Sequence, residues 1–101
     1  MNSGEAREAL EARWLDLTRR VLPRLAAERG WPVRADHCFM RIFLDNACGG
    51  RWTETIPKRP AYAHAPVAVL AAAVALAEAS VAGQENMHDL NRKSLDLRGK
   101  P

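Results

Sequence analysis

Asp36-His37-Cys38 is the densest run of reactive side chains in the sequence, and on a helix Arg41 and Asp45 would follow at one-turn intervals. A cysteine in the first turn of a helix sits at the positive end of the backbone dipole, which favours the thiolate, and a nearby arginine adds to that. His37, Cys38, Arg41 and Asp45 therefore form a candidate catalytic set for acyl or alkyl transfer, with Cys38 as nucleophile or His37 as acid–base group beside Arg41 and Asp45. Neighbours on a helix point about 100° apart, so adjacency alone does not aim His37 at Cys38. The alternative for Cys38 is a small buried hydrophobe beside Phe39 and Ile42. Cys48 lies at the other end of the same segment, where the dipole opposes a thiolate. Ten residues of helix separate the two sulfurs by about 15 Å. A disulfide needs Cα atoms within roughly 7 Å, so one helix excludes it. No C-x-x-C pair occurs, and His37, His64 and His88 lack ligand spacing. No metal or cofactor is implied.

A second constellation is basic and aromatic. Arg51, Trp52, Lys58, Arg59, Tyr62 and His64 fall in one segment, and Arg19, Arg20 and Arg24 in another. Basic groups neutralise phosphates, and Trp or Tyr stacks on unpaired bases. Arg19, Arg20, Arg24, Arg51, Trp52, Lys58, Arg59 and Tyr62 are thus the candidate nucleic-acid surface. The alternatives are solvated helix faces for the arginines and core positions for Trp52 and Tyr62. Arginine outnumbers lysine 12 to 3, and its planar fork suits phosphate and carboxylate. The nucleotide strings G-x-x-x-x-G-K-[ST] and G-x-G-x-x-G are absent, as is the hydrolase G-x-S-x-G. A helix-turn-helix over residues 66–97 would leave only Arg92 and Lys93 to meet DNA.

The elements that must position these groups read as helices. The 101 residues make one domain, with hydrophobic residues at 48% and charged residues at 27%. Alanine, the best helix former, is the commonest residue at 18 copies. The net charge of +3 resides in residues 1–60, and residues 61–101 balance at four of each sign. A first helix starts near Ser3 and carries the stripe Leu10, Trp14, Leu17, Val21 and Leu25. Pro23 kinks or breaks it at Leu22, or opens a fresh short helix ending at Gly30. A second helix fits Asp36 to Ala47, capped by Asp36, with Phe39, Ile42 and Phe43 inward, Met40 and Leu44 widening that face, and Gly49-Gly50 as stop. A strand over residues 39–44 is the alternative. On the helix, Arg41 and Asp45 would pair at the surface. Residues 49–65 form a long irregular loop that Trp52, Ile56 and Tyr62 pack down. A third, alanine-rich helix runs from Pro66 to Ala82, and a fourth, capped by Asn86, to Leu97. Residues 98–101 read as a loose tail. The expected core is Leu10, Trp14, Leu17, Val21, Phe39, Ile42, Phe43, Leu70, Val74 and Val81.

The string Asp36-His37-Cys38-Phe39-Met40-Arg41-Ile42-Phe43-Leu44-Asp45 resembles that of a family of small, uncharacterised bacterial proteins, sometimes labelled acetyltransferases of the GNAT superfamily. Arg59-Pro60-Ala61-Tyr62 and the ending Leu90-Asn91-x-x-Ser94-Leu95-x-x-Arg98-Gly99-Lys100 share in the resemblance, which covers residues 13–100. The pyrophosphate-binding string of that superfamily, R/Q-x-x-G-x-G/A, does not occur here, so no catalytic residue carries over. The resemblance implies a fixed local unit of Asp36, His37, Cys38, Arg41 and Asp45, with Trp52 and residues 59–62 in the loop.

These readings give an all-α domain of four or five helices, with the Phe39–Leu44 helix central and the loop wrapped over it. Neither an export signal nor a membrane span is evident, and the expected location is the cytosol with reduced thiols. The leading functional reading is a binding module for an anionic partner, nucleic acid above all. The alternatives are a small enzyme on the Asp36–Arg41 unit, and a homodimeric adaptor using the alanine-rich helix.

Overall fold

The structure, a computed structural model, describes residues 3–99. Every regular element among the described residues is a helix and none is a strand, so the fold is all-α and the strand alternative at residues 39–44 falls away. Helix α1 (Ser3–Asp16) continues through a π-helical turn (Leu17–Val21) into α2 (Leu22–Arg29). Capping by the Ser3 side chain lies outside the described side chains.

In place of a kink or break at Leu22 the helix widens into a π turn, and α2 opens at Leu22 with Pro23 in its first turn, close to the fresh short helix expected before Gly30. Pro23 has no N–H, and its ring crowds the carbonyl four residues back. The turn before it is widened, with the Leu22 N–H donating to the Leu17 carbonyl five residues earlier. The buried Thr18 hydroxyl donates to the Trp14 carbonyl at 2.8 Å. One extra residue turns everything downstream by about 100°. The stripe therefore continues from Leu17 to Leu22 and Ala26, both fully buried, and the expected Val21 and Leu25 are only half-buried. Gly30 ends α2 in the left-handed region at φ 64°, where a Cβ would be strained.

Helix α3 (Asp36–Cys48) is the centre of the fold, packed between α6 (Val67–Val81) and α7 (Met87–Leu97). Its cap position is Ala35, not Asp36; Asp36 is the first helical residue, and its carboxylate accepts the His37 N–H at 2.8 Å. Phe39, Ile42, Phe43 and Leu44 are buried, with Trp14 edge-on to Phe43 and Trp31 edge-on to Phe39. The alanine-rich α6 turns Leu70, Ala73, Val74, Ala77 and Ser80 inward. Small side chains there let the α3 and α6 backbones approach. Its exposed side carries Val67, Ala68, Ala72, Ala75 and Glu78. Asn86 caps α7 as expected, accepting the Asp89 N–H. Leu10 and Val81 of the expected core are half-buried, whereas Ile56, Ala65, Met87 and Leu90 join it.

The segment 49–65 is less irregular than its glycines and prolines suggest. It holds two one-turn helices, α4 (Trp52–Thr55) and α5 (Ala61–His64). Ile56 and Ala65 anchor it to the core, and the Arg59–Pro60 peptide is cis. Among the described residues no helix is long and apolar enough to cross a membrane. Cys38 and Cys48 are free thiols at opposite ends of α3, as their spacing requires.

Candidate functional site

Where α3, the π turn and the 49–65 segment meet, they enclose a cleft of about 230 Å³. Trp14, Met40, Leu44, Trp52, Pro60, Ala61 and Tyr62 give it an apolar, aromatic lining. Arg19, Arg41 and Arg59 supply its charge, His37 adds an imidazole, and no Asp or Glu among the described residues lines it. Arg19 comes from the π turn, His37 and Arg41 from the first turns of α3, and Arg59 from the segment before α5.

The three guanidinium groups are held differently. Arg41 donates from Nη1 to the Ser94 hydroxyl and from Nη2 to Asn91 Oδ1, each at 2.7 Å. Both partners are neutral, so the arginine is fixed without being neutralised. Arg59 lies over the Trp52 ring, 5.4 Å from its centroid. Such a contact contributes about 0.5–1 kcal/mol at an exposed site and yields readily to a better partner. Arg19 and Arg59 pair with no carboxylate among the described residues.

Beneath the cleft lies a buried polar network on α3 and α7. Asp45 is fully buried and accepts four hydrogen bonds: the Trp52 N–H at 2.9 Å, the Ser94 hydroxyl at 2.7 Å, and Arg98 through Nε at 2.5 Å and Nη2 at 3.1 Å. The expected surface pair of Arg41 with Asp45 is therefore replaced. Ser94 stands between them, and the charge opposite Asp45 is Arg98. Arg98, read as part of a loose tail, is thus held in the fold; Lys100 and Pro101 lie outside the described residues. Two walls of the cleft hang from this one carboxylate: Trp52 through its N–H, and Arg41 through Ser94.

The candidate residues divide between these places. Of the catalytic set, His37 and Arg41 reach the cleft, Asp45 is sealed in the network, and Cys38 is half-buried and not on the lining. Of the nucleic-acid set, Arg19, Trp52, Arg59 and Tyr62 reach it. Arg20 is instead paired with Asp16 at 2.7 Å, and Arg51 donates to the Arg98 carbonyl. Arg24 and Lys58 are exposed elsewhere, and His64 stays off the lining. Burial pushes the Cys48 thiol above the ordinary cysteine range and Asp45 adds to that, with a Thr55 hydrogen bond opposing them. No group of His, Cys, Asp and Glu among the described residues could hold a metal.

Asn91, Ser94 and Arg98 stand in the sequence only as part of the resemblance, with no site role assigned to them. Their spacing of three and four placed them on one face of α7. That face borders the apolar stripe, which drew attention first. A second cleft of about 230 Å³ lies by Trp31, Ser80 and His88, but it contains Glu85, and its Arg29 is committed to the Trp31 ring and the Ser80 carbonyl. Comparison with protein-family models, curated proteins and solved structures finds no match to the chain.

Proposed function

We propose that this chain is a binding module whose cleft receives an anionic group borne on a flat, apolar body, and that its partner in this mode is an unpaired nucleotide of a nucleic acid. One observation carries the reading: Arg19, Arg41 and Arg59 face a single aromatic cleft with no carboxylate among the described lining residues. Guanidinium forks match phosphate oxygens, and aromatic walls accept a base by its π-face. Typical ligand pockets run to roughly 300–1,000 Å³, so a cleft of about 230 Å³ fits one unit and not a run of them. An enzyme built on Cys38 would need that thiol at the cleft, and it is not there. Free thiols at Cys38 and Cys48 suit the cytosol.

Trp14 and Trp52 line the cleft, so quenching of tryptophan emission reports occupancy. Short single-stranded DNA should quench it, duplex DNA should not, and the affinity should fall as salt rises. One or two neutralised phosphates give a shallow log–log slope, roughly −0.7 for each. Arg59→Ala should weaken binding at least tenfold. Absence of binding at low salt, or a duplex bound as well as a single strand, would refute the reading.

A further inference from the structure

Resting on that reading, we infer that the group held in the cleft is a terminal phosphate, the dianion of a phosphomonoester, and not a phosphodiester inside a continuous strand.

The first argument is charge. Three arginines line the cleft without a carboxylate among the described lining residues. The nearest buried carboxylate, Asp45, is already claimed by Arg98. A phosphodiester brings one negative charge, whereas a phosphomonoester brings about 1.5 to 2 at pH 7 and three terminal oxygens. The richer anion matches the richer cation set.

The second argument is layout. A strand held along its length needs cations that continue beyond one pocket. Here the flanking arginines turn away: Arg20 is bound to Asp16 and Arg51 to the Arg98 carbonyl. The basic groups form a cup and not a track.

The third argument is preorganisation. An arginine has five N–H donors. Arg41 spends two on Ser94 and Asn91 and is held in place by them. The remaining donors meet the anion with little further ordering. Arg59 is parked on Trp52 by a weak contact, so it can swing to the phosphate and leave the indole face to the base.

The test compares matched ligands on the full chain at one salt concentration, by calorimetry. The probes are adenosine, adenosine 5′-monophosphate, and one short single-stranded DNA with and without a 5′-phosphate. The expected result is at least tenfold tighter binding of each phosphorylated member than of its partner. Arg19→Ala and Arg59→Ala should abolish that difference, and Arg24→Ala, outside the cleft, should leave it. If only the mononucleotide shows the gain, the ligand is free; if the phosphorylated strand shows it equally, the cleft caps strand ends. Equal binding of both phosphorylated probes and their unphosphorylated partners overturns the inference while leaving the proposed function standing. No binding of any probe overturns both.

Discussion

At the seam between α3 and α7 the buried carboxylate of Asp45 has its counter-charge, Arg98, inside the fold; one helix turn away, in the cleft, Arg19 and Arg59 have no carboxylate among the described residues. Both regions are built on arginine, and Arg41 belongs to both. The difference lies in what surrounds the guanidinium. Arg98 meets a buried carboxylate through two hydrogen bonds, so its charge is used up in holding α7 to α3. Arg41 meets a hydroxyl and an amide, which fix its direction and leave its charge available. Arginine counts in a sequence therefore say little about ligand binding until carboxylate partners are subtracted.

The largest effect should come from breaking the seam. Asp45→Asn keeps the shape but leaves Arg98 without its counter-charge. Removing one member of a buried ion pair costs about 3 kcal/mol or more. For a domain of this size that is a fall in Tm on the order of 15 °C, read by thermal melting of the circular dichroism signal. A fall of only a few degrees would mean that the seam does not carry the packing of α7.

The cleft should behave in the opposite way. Arg19→Ala should change stability by no more than about 0.5 kcal/mol, as surface substitutions do, and Arg59→Ala by no more than about 1 kcal/mol, the size of its contact with Trp52. Binding of the anionic ligand should still fall tenfold. A large loss of stability in either variant would erase the contrast.

A smaller effect concerns Cys48, beside the seam. Its raised pKa means that the fold favours the neutral thiol. That contribution is complete below the free-thiol value near pH 8.5 and is lost as pH rises through the higher folded value. Iodoacetamide should label Cys48 more slowly than free cysteine at pH 8, by mass spectrometry. Cys48→Ala should remove part of the alkaline loss of stability. Smallest of all is Arg20→Ala. A hydrogen bond from Arg20 holds the Asp16 carboxyl below its ordinary range, but the pair lies at the surface, where water screens it. No measurable change in Tm is expected.

The all-α class, the central place of α3, the Asn86 cap and the separation of the two thiols were all legible in the sequence, because each follows from local propensity or helical spacing. The cleft was legible only in halves. Arg19, Trp52, Arg59 and Tyr62 came from the basic–aromatic pattern, and His37 and Arg41 from the reactive run. Nothing local shows that the two patterns face each other; that depends on how the 49–65 segment lies against α3. The Asp45 network was hidden for a similar reason. A carboxylate at a helical i+4 spacing from Arg41 invites a surface pair, and only the packing of α7 brings Ser94 and Arg98 to claim it.

The π turn is, in effect, a spliced residue joining two straight helices that are out of phase. Remove one exposed residue of that turn, for instance Arg20, and an α-helical ladder would again put Leu22 and Ala26 in phase with Trp14 and Leu17, but Pro23 would then stand unrelieved in the helix interior. Remove one residue between Pro23 and Ala26 instead, and Ala26 rotates by about 100° out of the core. The segment that carries Arg19 is thus the stretch that brings the two halves of this long helix into phase with one core.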